Sequence, residues 1–214
     1  MNEVLCTMEG EVQVLTLNRP DKANAMNEAM QNSLVEKLLN SKATVIASSH
    51  SKIFSAGADL KEFSELDRGV AAKKRRELLK RTLNAILDFP RPLVVAVEGR
   101  AIGGGCMLAM LADELVMSET AELSLPEIKH GIPTPVGYVI VAARCGMPLA
   151  RRMVQSGEVV SSSIADVVGG KEQAIDRARA LAALWGPSYV ANKKFINAKL
   201  KADLQMAFAE ADKL

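Results

Sequence analysis

Cysteine, histidine, aromatic residues and charge of one sign are all scarce in this chain. The cysteines, Cys6, Cys106 and Cys145, are odd in number, far apart and without C-x-x-C spacing. That excludes a disulfide framework, offers no zinc-ligand pattern and points to a reducing cytoplasm. The only histidines are His50 and His130, which leaves little for histidine-based catalysis. No apolar run reaches the ~18 residues of a membrane span. The start, Met1-Asn2-Glu3-Val4, lacks a leader's basic segment and apolar core, so an unexported protein with no membrane partner is expected. A net charge of +2 is too small to argue for nucleic acid. There is no G-x-S-x-G elbow and no phosphate-binding Gly-x-x-x-x-Gly-Lys-Ser/Thr loop. Gly103-Gly104-Gly105 fails the dinucleotide fingerprint because Leu108 stands where its last glycine is required.

What is present is a pattern of alternating strands and helices. With 214 residues, 49% of them apolar, the chain can bury a sizeable core in one globular domain. Val12 to Leu17 alternates at period two after a turn at Glu9-Gly10, which predicts a hairpin with Val4-Leu5-Cys6 that Pro20 stops. Asn27 is a candidate N-cap for a helix to about Leu39 with Met30, Leu34 and Leu38 on one face. Thr44 to Ala47 is a short buried strand, Val70 to Leu87 a helix ending before Pro90, and Leu93 to Val97 a strand covered on both faces. A helix from Gly104 to Ala112, a strand at Glu114 to Met117 and a helix from Lys171 to Leu184 follow. Two further helices start near Ser188 and Leu200. The last shows Leu200, Leu204 and Phe208 at spacing four, a stripe to be buried on its own domain or on a neighbour. Such alternation argues for stacked βα units.

Two glycine-bearing turns each follow an apolar strand-like run: Phe54-Ser55-Ala56-Gly57-Ala58-Asp59-Leu60 and Gly99-Arg100-Ala101-Ile102-Gly103-Gly104-Gly105-Cys106. A turn that leaves a strand and opens a helix has free backbone N–H groups, and two of them converging on one point form an oxyanion hole. Such chemistry needs no metal. The second turn also fits a simpler role, close packing of a helix on a sheet.

On these and other residues the chain resembles the enoyl-CoA hydratase/isomerase (crotonase) superfamily. The likeness runs from about Val12 to Val168. It is carried by Leu17-Asn18-Arg19-Pro20 with Asn24-Ala25-Met26, by Ser55 to Leu60, by Pro92 to Gly99, by Ile102 to Cys106, and by Leu125-Pro126-Glu127 with His130-Gly131-Ile132-Pro133. The resemblance implies an α/β fold, a crotonase-like spiral of ββα turns with a C-terminal helical region. It suggests a core at 1–160 and a shortened helical part at 161–214, abbreviated around Ser162 to Gly170 and lacking the last helix that relatives lay over the acyl-CoA. It further implies an acyl-CoA thioester as substrate, coenzyme A entering as part of it with no separate cofactor, enolate chemistry of the lyase or isomerase kind in fatty acid metabolism, and a homotrimer or homohexamer.

By the same resemblance the oxyanion donors are the backbones of Ala56 and Gly104, Ala56, Gly57, Ala58, Asp59, Leu60, Gly104 and Met107 line the substrate, and Glu127 is the acid-base group. Asp59 also suits the cap of a helix beginning at Leu60. Leu125, Ile128 and Ile132 around Glu127 would raise its pKa by desolvation. Hydratases of the family carry a second glutamate where this chain has Met107, a thioether that takes no proton. A single glutamate suffices to move a double bond from the 3- to the 2-position, so Δ3,Δ2-enoyl-CoA isomerisation is favoured. Hydration, decarboxylation or hydrolysis of acyl thioesters, and a catalytically silent subunit are the alternatives. The basic stretch Lys73-Lys74-Arg75-Arg76 with Lys80-Arg81 reads as a solvated helix face, or else as a contact for CoA phosphate. Cys106 reads as an inert buried thiol, His50 as a loop residue, His130 as a possible neighbour of Glu127, and Tyr138 as core.

Overall fold

The computed structural model describes residues 2–39 and 42–213. The chain opens with the expected hairpin, β1 (Val4–Glu9) paired antiparallel to β2 (Val12–Leu17). α1 (Glu28–Leu39) follows, capped by Asn27, whose Oδ1 accepts from the Met30 N–H at 3.0 Å. Met30, Leu34 and Leu38 are buried as their spacing predicts.

The chain then winds as a spiral in which successive turns give one strand to each of two sheets. β3 (Thr44–Ser48) and β4 (Ile53–Ser55) precede α2 (Arg68–Asp88), β5 (Leu93–Val97) and β6 (Arg100–Ile102) precede α3 (Gly104–Met110), and β7 (Glu114–Met117) and β8 (Glu122–Ser124) precede a 3-10 turn at Pro126–His130. α4 (Pro135–Cys145), α5 (Met147–Ser156), β9 (Val159–Val160), β10 (Val167–Val168), α6 (Lys171–Ala183) and α7 (Pro187–Ala211) complete it. One sheet has the order β1-β2-β3-β5-β7-β10, parallel beyond the hairpin; the other has the order β4-β6-β8-β9. This is the ββα spiral with its C-terminal helical region.

β5 is buried along its whole length because both faces are covered. Leu93, Val95 and Val97 enter the main core, while Val94 and Ala96 meet Ala174, Ile175 and Ala178 of α6. An all-apolar run is what such a strand requires.

The C-terminal region departs from expectation in one respect. The two helices read from Ser188 and Leu200 are one continuous helix, α7, since neither glycine nor proline interrupts it. Leu204 and Phe208 are buried in this chain's own main core, with Leu200 packed beside them. Among the described residues no helix is long and apolar enough to cross a membrane.

Candidate active site

The site follows from strand register. β4, β6 and β8 are adjacent and parallel, with Ser55 beside Ala101 and Ile102 beside Ser124. Their C-terminal ends therefore lie on one sheet edge, and the segments leaving them are residues 56–60, Gly103-Gly104-Gly105 and Leu125-Pro126-Glu127. All three segments reach a single cavity of about 420 Å³, lined among others by Ala58, Gly104, Met107 and Glu127.

The first turn is braced by the Arg19 and Asn24 segment. Asn24 is fully buried. Its Oδ1 accepts from Arg19 N–H at 2.7 Å, and its Nδ2 donates to Ser48 Oγ at 2.8 Å and to the Phe54 carbonyl at 3.2 Å. The Ser55 hydroxyl donates to the Asn24 carbonyl at 2.8 Å. Met26 pairs with Ala58 as a parallel bridge, with Met26 N–H to Gly57 O at 2.7 Å and Asp59 N–H to Met26 O at 3.3 Å. Gly57 has φ of +85°, and a Cβ there would stand 2.7 Å from the Ile102 carbonyl, so only glycine lets the two turns approach.

These bonds correct the expected donor. The Ala56 N–H donates to the Ala23 carbonyl at 2.9 Å and is committed to the brace. The bridge turns the Ala58 N–H the other way, and no acceptor meets it among the described residues. The Gly104 N–H, at the start of α3, is likewise without an intrahelical acceptor. The two are close: Ala58 N lies 3.8 Å from the point a Cβ on Gly104 would occupy.

Asp59 and Leu60 also differ from expectation. No helix begins at Leu60; α2 starts at Arg68, capped by Asp67, whose Oδ1 accepts from Gly69 and Val70 N–H at 2.8 and 3.3 Å. Asp59 lies outside the cavity lining. It accepts from Lys61 N–H at 3.1 Å and pairs with Arg19 at 3.0 Å. Ala56, Gly57, Ala58 and Leu60 do line the cavity.

Glu127 lies against the second turn. Its Oε1 is 3.0 Å from where a Cβ on Gly103 would be, and its Oε2 is buried with no hydrogen-bond partner among the described residues. Burial pushes its carboxyl above the usual carboxylate range, opposed by a bond from its own backbone N–H and by the nearby His130. A buried carboxylate oxygen left unpartnered is costly, and Glu127 holds its own on the wall of the cavity. Met107 is buried with its methyl end 3.1 Å from the Cβ position of Gly137, so an apolar surface stands where a second acid would.

The remaining candidates sort plainly. Cys106 is fully buried, and burial with the neighbouring Glu127 charge raises its thiol pKa strongly, which keeps it protonated and unreactive. His130 lines the cavity at its exposed side, Tyr138 packs on the core, and His50 closes a loop turn by accepting from Lys52 N–H at 3.1 Å. The helix face carrying Arg68, Arg75 and Arg76 lines the cavity. Its signal in the sequence is the run Arg68, Ala72, Arg75, Arg76, Leu79 at helical spacing.

Comparison with known proteins agrees with this geometry. Residues 7–213 match the family described as enoyl-CoA hydratase/isomerase. The chain is 37% identical over 175 residues to the 2,3-dehydroadipyl-CoA hydratase of Escherichia coli, covering 79% of this chain and 68% of that protein. It is 34% identical over 200 residues to a probable enoyl-CoA hydratase of Bacillus subtilis, covering 86% and 76%. A solved enoyl-CoA hydratase/isomerase from Mycobacterium paratuberculosis shares its fold, with a TM-score of 0.87 at 24% identity over 100% of this chain and 93% of the other. Three strand ends meeting at one cavity and a family match across nearly the whole chain lead to one conclusion: the chain belongs to the enoyl-CoA hydratase/isomerase family, within the crotonase superfamily.

Proposed function

We propose that this protein binds acyl-CoA thioesters and performs enoyl-CoA hydratase/isomerase-type chemistry, specifically the shift of a double bond from the 3- to the 2-position. The observation that carries the reading is one carboxylate on the cavity wall, Glu127, whose buried Oε2 has no partner among the described residues, beside two free N–H groups, with Met107 closing the position next to it. The thioester carbonyl oxygen accepts from the Ala58 and Gly104 N–H groups, and the start of α3 adds partial positive charge. Glu127 takes a proton from the α-carbon, and the electron pair moves through the thioester onto that oxygen. Each such donor is worth about 3–4 kcal/mol to the developing anion. The same carboxyl returns its proton at the γ-carbon, the dienolate electrons form the new 2,3 double bond, and Glu127 is restored as a carboxylate. The raised pKa suits both steps, because it brings the acid and base forms closer together near neutrality. The apolar Met107 keeps water from the intermediate.

Hydration is the second reading, favoured by the names of the two relatives above. Mass-spectrometric and chromatographic analysis of 3-enoyl-, 2-enoyl- and malonyl-type CoA thioesters, incubated with the wild type and with Glu127→Gln, separates the readings. Migration of the 3-enoyl double bond, lost in the variant, is expected. Gain of water would make it a hydratase, loss of carbon dioxide a decarboxylase and release of free CoA a hydrolase. Unchanged thioesters throughout would favour a silent subunit. For the oligomer, we propose the family's trimer or pair of trimers, to be checked by light scattering.

A further inference from the structure

One wall of the cavity carries charge that moving a double bond does not need. α2 turns Arg68, Ala72, Arg75, Arg76 and Leu79 toward it. Leu79 marks the reacting centre on this helix, since its Cδ1 lies 3.6 Å from the Cβ position of Gly104. Arg75 and Arg76 precede it by one turn, about 5 Å along the axis, and helical side chains lean toward the N-terminus, farther from the centre.

The two differ in their partners. Arg76 Nε pairs with Asp212 at 2.9 Å. Arg75 is half-buried, donates one N–H to the Glu62 carbonyl at 3.0 Å, and has no carboxylate partner among the described residues. The Glu62 carboxylate is turned away, accepting from the Glu28 N–H at 3.0 Å. Arg75 is thus a cation with donors to spare on the wall of a cavity. A guanidinium fork matches a carboxylate in two parallel bonds.

We propose that the acyl group taken by this cavity ends in a second carboxylate, so that the substrate is the CoA thioester of a short dicarboxylic acid bound through Arg75 with help from Arg76. The proposal rests on reading the cavity as an acyl-CoA site. A chain of five or six carbons spans roughly the one helix turn between Gly104 and the guanidinium wall. The phosphates of CoA do not, because the whole pantetheine arm separates them from the thioester held at Gly104.

The test is binding, which needs no turnover. Glutaryl- and pentanoyl-CoA, and adipyl- and hexanoyl-CoA, are titrated calorimetrically into the wild type, Arg75→Gln and Arg75→Lys. The diacid member of at least one pair is expected to bind roughly tenfold tighter or better to the wild type. That ratio should fall toward one in Arg75→Gln and be kept in part by Arg75→Lys. Equal binding of both members of each pair to the wild type overturns the proposal. So does a variant that weakens both members alike, which would mean that Arg75 reads CoA itself. If no thioester binds to folded protein, the acyl-CoA reading falls too. A diacid preference without double-bond migration would uphold the carboxylate site and remove only the isomerase.

Discussion

The two turns that meet at the cavity are held by different forces. The first is tied by polar groups: Ala56 to Ala23, Ser55 to Asn24, Asn24 to Arg19, Ser48 and Phe54, and Asp59 to Arg19. The second has no side-chain ties of this kind among the described residues; its Gly103 N–H donates to Ser124 O and its Gly103 carbonyl accepts from Met107 N–H, both at 2.9 Å, and it otherwise rests on contact, with Gly105 against Ser55 and Gly104 against Met26. A hydrogen-bonded turn aims its N–H by the direction of particular groups and weakens bond by bond. A close-packed turn aims its N–H by having no Cβ, and fails when one carbon is added.

Adding that carbon at the reacting end gives the largest expected effect. In Gly104→Ala the new methyl meets Met26 Cε at 2.7 Å, the flexible end of a side chain, and lies 3.8 Å from Ala58 N. The fold can yield there, but the methyl would crowd the space beside the Ala58 and Gly104 N–H groups that the proposed mechanism gives to the thioester oxygen. We expect kcat/KM for a 3-enoyl-CoA to fall roughly 10²–10³-fold, with little change in the thermal midpoint. Full turnover would mean that the oxyanion does not sit between the two turns.

One residue on, the comparison can be made with stability. Alanine normally favours a helix over glycine by about 1 kcal/mol, yet at Gly105 its Cβ would stand 2.6 Å from Ser55 Cβ and 3.0 Å from Ser55 O. We expect Gly105→Ala to lose about 1–3 kcal/mol by overpacking, seen as a midpoint drop of about 2–4 °C per kcal/mol for a domain of this size. Asn24→Ala should cost a comparable amount by another route, because it strips the buried Phe54 carbonyl and the Arg19 N–H of partners, at about 1–3 kcal/mol. Asn24→Ala should loosen hydrogen-exchange protection across residues 56–59, whereas Gly105→Ala should loosen α3. If both variants loosened the same turn, the contrast between the two would be lost.

Much of this arrangement is legible in the sequence, and the parts that are not share a cause. Strands such as Leu93–Val97, the Met30, Leu34, Leu38 face and the two glycine turns follow from local pattern. Glu127 and Met107 follow from position within motifs. Which N–H of the first turn is free does not, because it depends on the +85° φ of Gly57 and on a bridge between Met26 and Ala58. The joint expected near Leu200 had a similar origin. The apolar stripe starts there, but the earlier half of α7 is held at the same spacing by polar groups. Tyr189 and Lys193 bond to Asp113 at 3.1 and 2.7 Å, and Asn197 bonds to the Leu87 carbonyl at 2.9 Å. Apolar periodicity is blind to a face that is anchored by hydrogen bonds.

The smallest effect concerns the charge that the second turn helps to bury. Neither Ala56-Gly57-Ala58 nor Gly103-Gly104-Gly105 carries a charged side chain into the cavity; Glu127, lying on Gly103, is the carboxylate beside the second turn. Its carboxyl pKa is raised by burial, so ionisation is harder in the folded chain than in the unfolded one. Its ionisation therefore costs the fold nothing at low pH, where the carboxyl is protonated in both states, and works increasingly against folding as pH rises from the ordinary carboxylate value through the raised one, with the full penalty above both. Glu127→Gln should accordingly abolish double-bond migration yet raise the thermal midpoint slightly at neutral pH, with no gain at pH values where the wild-type carboxyl is protonated. In the wild type, kcat/KM should fall on the acid side through a pKa above the ordinary carboxylate range. An acid limb at the ordinary value, or a variant no more stable than the wild type at neutrality, would mean that water reaches Glu127 and that the second turn is less dry than the first.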